Sequence, residues 1–118
     1  MAEFSKDKIT ELAKLAVDAL EEKKASDIKV LDISEISQIA DYFIIASGNN
    51  INQTQAMADD VEIKLEKNGL LLKQIEGYEK AGWILMDFGD IIVHIFDNDN
   101  RLFYDLERVW KDGKEIEL

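Results

Sequence analysis

The chain has 118 residues, 47% of them hydrophobic and 33% charged, the composition of one globular domain long enough to bury a single core. It carries 25 acidic against 14 basic side chains and no cysteine. A net charge of −11 is repelled by phosphate and argues against nucleic-acid binding as its main business; the missing thiols exclude disulfides, thiolate metal sites and a Cys nucleophile. The acidity suits a basic protein surface or serves only solubility, and charge alone favours the second reading.

The spacing predicts a first helix over Lys6 to Lys24. Ser5 is its N-cap, Phe4 staples onto Ile9, and Ile9, Leu12, Ala13, Ala16, Val17 and Leu20 form one apolar stripe. Lys23 and Lys24 suit the negative end of the helix dipole. Strands follow at Ile28 to Ile33 and Tyr42 to Ser47, joined by a polar connector over Ser34 to Asp41. A second helix starts after Gly48-Asn49-Asn50, with Asn50 as cap and Thr54, Met57, Ala58, Val61 and Leu65 on one face; Asn68-Gly69 ends it. A third strand is expected at Leu70 to Ile75, and a linker spans Glu76 to Gly82.

Residues Trp83 to Phe96 read as a β-hairpin around a two-residue Gly89-Asp90 turn, where Gly supplies the positive φ of a type II′ turn. Alternation puts Ile84, Met86, Phe88, Ile91, Val93 and Ile95 on one wholly apolar side. The other side mixes Trp83, Leu85, Asp87, Ile92, His94 and Phe96, and pairs Trp83 with Phe96, Leu85 with His94 and Asp87 with Ile92. A third helix over Asn100 to Trp110 and a loose tail over 111–118 complete the chain. There is no Pro, no repeat and no internal linker, so one domain is expected. The expected fold class is α/β, in the order α-β-β-α-β-β-β-α: a mixed sheet of about five strands with three helices. The unit from the second strand to the third makes a parallel crossover. So few helices cover only one face well, which leaves the Trp83 side open.

Signs of chemistry are thin. His94 is the only histidine, mid-strand, with no triad indicated by local spacing and no metal partners except carboxylates; neither catalysis nor a metal site is expected. The Ala46–Asn50 junction has amides that could hold an anion, but it lacks the spacing of a P-loop or a dinucleotide fingerprint. A nucleotidyltransferase would need paired carboxylates on an adjacent strand. Asp59-Asp60 falls within a helix, and Asp87 and Asp97 are far apart in sequence. In the third helix Tyr104 and Arg108, with Asp105 nearby, read as a solvated face. No apolar run approaches the roughly 20 residues of a membrane span. Glu3 lies in a helical pattern without a signal core, so a cytoplasmic protein with no membrane contact is expected.

These segments together resemble the ribosomal silencing factor family, also called Iojap or RsfS-like. The resemblance is carried by Asp32-Ile33-Ser34, Ser37, DYFIIASGN from Asp41 to Asn49, Gln53 with Ala56-Met57-Ala58-Asp59, and Glu76-Gly77. It continues through Trp83, DFGDIIVHIF and RLFYDLERVW, and covers Ser5 to Asp112. Asn50, Thr54, Val109 and Gly113 depart conservatively from the family pattern. The resemblance implies a domain shaped like a nucleotidyltransferase without its catalytic carboxylates. It also implies binding to large-subunit ribosomal protein number fourteen, a steric block to small-subunit joining, lowered translation when nutrients are scarce, and homodimers.

Trp83 is the leading partner-binding anchor, with Leu85 and Phe96 beside it, His94 on the same face and Tyr78 at the linker; Asp87 and Glu76 would meet basic groups. No cofactor is expected. Two other readings stand beside this one: a nucleotide-binding enzyme of nucleotidyltransferase type using the Gly48 junction, and a regulatory homodimer whose patch is the self-association surface.

Overall fold

The computed structural model describes residues 4–35, 37–38, 40–97 and 114–116. Helix α1 (Lys6–Glu22) is capped by Ser5, whose hydroxyl accepts from the Lys8 N–H at 3.1 Å. It buries the stripe expected from the sequence, with Ala19 added, and Phe4 packs against the same core. The helix stops earlier than its periodicity suggests: Lys23 is the C-cap, and Lys24 turns the chain away at φ 62°. Helix α2 (Ile51–Lys67) is capped by Asn50, whose carbonyl Oδ1 accepts from Gln53 N–H at 2.8 Å. Its buried positions are Thr54, Met57, Ala58, Val61 and Leu65. The third expected helix, 100–110, with Tyr104, Asp105 and Arg108, lies outside the described residues, among which there are two helices.

Among the described residues six strands form one mixed sheet: β1 (Ser26–Asp32), β2 (Tyr42–Gly48), β3 (Gln74–Glu76), β4 (Trp83–Asp87), β5 (Ile91–Asp97) and β6 (Lys114–Ile116), in the order β3-β4-β5-β2-β1-β6. β2 and β5 are parallel; every other neighbouring pair is antiparallel. After α2 the chain goes to the edge of the sheet as β3 and then works inward through the hairpin. β3 therefore runs in the same direction as β2, with β4 and β5 between them. β3 is three residues long and exposed throughout, which suits an edge; Leu70 and Leu72, expected inside it, pack on the core before it begins. Within the stretch expected as a loose tail, Lys114–Ile116 pairs antiparallel with Val30–Asp32 of β1.

Both described helices pack on one face of the sheet, against Val30, Ile44, Ala46, Ile84, Met86, Ile91, Val93 and Ile95. The opposite face differs from the open surface expected of it. Leu31, Phe43, Ile45 and Phe96, joined by Ile33 and Ala40 from the β1–β2 connector, form a second buried cluster. β2 is consequently buried at all seven positions, as a central strand covered on both sides must be.

Candidate partner-binding surface

Register decides which side chains share the second face. The hairpin pairs Trp83 with Phe96, Leu85 with His94 and Asp87 with Ile92, as the two-residue turn requires, and Gly89 takes φ 91°. β3 adds Glu76 opposite Leu85 and Gln74 opposite Asp87, while β2 sets Ile45 beside His94 and Phe43 beside Ile92. One row across the sheet is therefore Glu76, Leu85, His94, Ile45 and Lys29. Exposure falls steeply along it. Glu76 and Gln74 are exposed, Trp83, Leu85, Asp87 and Ile92 are half-buried, and His94 and Phe96 are only 4% and 0% accessible. The usable surface is thus a strip along β3 and β4. His94 and Phe96, expected as contact residues, lie behind it, because β5 is an interior strand that sequence alternation alone cannot distinguish from an edge.

Trp83 is held from behind. Its ring stacks on Phe96 with centroids 5.3 Å apart, and its Nε1–H donates to His94 Nδ1 at 3.1 Å. An indole N–H can only donate, so Nδ1 is the acceptor and the neutral imidazole carries its proton on Nε2. Burial pushes the His94 pKa down to about 4, so the ring is neutral at physiological pH. Nε2 is buried and has no hydrogen-bond partner among the described residues. Phe43 meets the His94 ring edge-on at 5.0 Å.

The remaining expected contact residues sort by environment. Asp87 Oδ1 accepts from the Gly89 N–H at 2.8 Å, so this carboxylate braces the hairpin turn. Glu76 accepts from Gln74 Nε2 at 2.9 Å and is open to solvent. Tyr78 lies on the other side, half-buried against α2. Its hydroxyl donates to Asp59 Oδ1 at 2.9 Å, Gln55 Nε2 donates to its carbonyl at 2.9 Å, and its side chain packs on the helix-covered core. The Asp59 hydrogen bond, then burial, raises its phenol pKa. The structure thus brings Trp83, Leu85, Asp87 and Glu76 together and separates Tyr78 from them.

Two positions escaped the sequence reading. Phe43 sits beneath His94 only because β2 is the parallel neighbour of β5, a pairing no local pattern encodes. Gly77 (φ 79°) passes so close to Trp83 that an added Cβ would stand 2.1 Å from the Trp83 carbonyl oxygen. Its signal was visible: a lone Gly in a polar linker just before a strand marks close backbone approach.

The Gly48 junction is closed by its own side chains. Asn49 N–H donates to Gln53 Oε1 at 2.6 Å, Gln53 N–H is taken by Asn50, and Gln53 Nε2 donates to the Lys23 and Lys24 carbonyls at the end of α1. A phosphate would have to displace these bonds. No group of three or more His, Cys, Asp or Glu that could hold a metal ion occurs among the described residues.

Residues 6–118 match the sequence profile of the family described as ribosomal silencing factor during starvation. The chain belongs to the ribosomal silencing factor family. Similar members include the ribosomal silencing factor of Halalkalibacterium halodurans, 44% identical over 92% of each chain, and that of Bacillus subtilis, 41% identical over 91% of each. A crystal structure of a Chromobacterium violaceum protein, 36% identical, superposes with a TM-score of 0.85 over 93% of this chain and 91% of that one. The family places the chain among regulatory proteins named for ribosome silencing, and the likeness in structure extends over the single α/β domain with its mixed sheet. Among the described residues no helix is long and apolar enough to cross a membrane.

Proposed function

We propose that this protein represses translation by binding the large ribosomal subunit through its protein number fourteen, where it blocks small-subunit joining by occupying space. The observation that carries the reading is the family match over nearly the whole chain. The geometry supports it with a suitable surface: a half-buried indole with half-buried Leu85 next to it on the same face of β4, and exposed Glu76 opposite Leu85. Interfaces concentrate their energy in such aromatic anchors, set in a polar rim. The action needs no catalysis and no cofactor. It takes place in the cytoplasm with little direct nucleic-acid contact, because a surface of net charge −11 favours basic protein groups over phosphate.

Co-sedimentation with isolated large and small subunits, followed by a subunit-rejoining assay, tests this. The protein should travel with large subunits only and slow rejoining in proportion to occupancy. Trp83→Ala should weaken binding by about 2 kcal/mol, roughly thirtyfold, while melting stays cooperative. In sedimentation, Trp83→Glu separates docking from self-association as a homodimer: loss of a dimer with subunit binding intact assigns the strip to a second copy. Wild-type protein that binds neither subunit, or binds without slowing rejoining, refutes the reading.

A further inference from the structure

We propose that His94 is a positioning residue for the Trp83 anchor: its buried Nδ1 accepts the indole N–H and fixes which edge of the ring a partner meets. The proposal rests on the reading of Trp83 as the docking anchor. It stands on four linked observations. The Trp83 Nε1–H to His94 Nδ1 bond is 3.1 Å and joins diagonal neighbours on paired strands, two residues apart in register and on the same face. The two rings lie 6.0 Å apart at 33°, and Phe96 stacks against both, at 5.3 Å from the indole and 6.3 Å from the imidazole. The imidazole is 4% accessible, so water does not compete for the acceptor. Phe43 closes the imidazole from the β2 side at 5.0 Å.

The consequence is a choice of contact chemistry. A half-buried strand indole held only by stacking can turn about its side-chain torsions and offer its N–H to a partner. Here the N–H is engaged from within. What Trp83 offers outward is ring carbon, so a partner recognises it by apolar packing, and the ring's rotational freedom is lost on folding, before binding. A hydrogen bond from a buried neutral pair is worth enough to favour one orientation about tenfold. His94 acts through Trp83 and does not itself touch the partner.

The test uses the full chain labelled with ¹⁵N. Its two tryptophans, Trp83 and Trp110, give two indole N–H signals, and Trp83→Phe assigns them. His94→Leu removes the acceptor and keeps an apolar filler; His94→Asn keeps an acceptor near the Nδ1 position. In His94→Leu the Trp83 indole signal should move, its exchange with solvent should accelerate, and affinity for isolated large subunits should fall about tenfold. His94→Asn should restore both signal and affinity in large part. If His94→Leu does not fold, the wild-type imidazole ¹⁵N shifts at pH 7 decide: a bare Nδ1 and a protonated Nε2 support the proposal, and a protonated Nδ1 overturns it. An unmoved indole signal in a folded His94→Leu overturns it, as does lost affinity that His94→Asn leaves unrescued. If Trp83→Ala binds subunits as tightly as wild type, the anchor reading itself fails; if Trp83→Ala weakens binding but His94→Leu does not, only the positioning role fails.

Discussion

Lowering the pH should destabilise this protein through His94, and the size of the effect follows from its burial. In the unfolded chain the imidazole titrates near 6.5, but in the fold burial pushes it down to about 4. Above pH 6.5 both states are neutral and the contribution to stability is complete. Below it, the unfolded chain takes up a proton that the folded protein refuses until about pH 4, so stability drains away across that window. At about 1.4 kcal/mol for each tenfold change in proton affinity, the whole gap is worth about 3 kcal/mol, of which about 2 kcal/mol is lost by pH 5. Urea melts of the wild type and His94→Asn at pH 7.5, 6.5, 5.5 and 5.0 measure it, because subtraction removes the carboxylates common to both. One of these is Glu62, raised by burial and by its neighbour Glu66. The wild type should lose about 2 kcal/mol more than the variant between pH 7.5 and 5.0. Parallel pH profiles would falsify the claim that the imidazole is sealed in the fold.

Other perturbations probe the support of the same strip. Gly77→Ala combines a left-handed φ of 79° with a Cβ 2.1 Å from the Trp83 carbonyl oxygen. It should cost at least about 2 kcal/mol in chemical denaturation and shift the Trp83 indole signal; a neutral result would mean the linker relaxes freely. Asn50→Ala removes the α2 cap and should lower stability by about 1 kcal/mol, whereas Asn50→Ser should restore most of it. A melting temperature unchanged by Asn50→Ala would show that Gln53 alone satisfies that helix end.

Local features were legible in the sequence because local physics sets them. Ser5 and Asn50 cap the helices through bonds made within one turn, and the buried stripes of α1 and α2 follow from helical spacing. The hairpin register was fixed by Gly89-Asp90, so the partners of Trp83, Leu85 and Asp87 could be named in advance. The end of α1 was less legible, since Lys23 and Lys24 are good helix formers and the turn at Lys24 depends on Gln53 reaching across from α2 to their carbonyls.

The order of the strands belonged to the tertiary structure. Alternation states which side chains share a face, but a strand's own pattern does not say who its neighbours are. β5 lies between β4 and β2, and that placement turns His94 and Phe96 from apparent surface into the backing of Trp83. Tyr78 was likewise drawn to the helix side by Asp59 and Gln55, residues that precede it by about twenty positions. The sequence by itself determined a mixed α/β domain, its hairpin and its family resemblance, since these rest on short-range geometry and on the identity of residues. Only the folded sheet decided which part of the mixed face meets solvent, because burial depends on distant segments brought together.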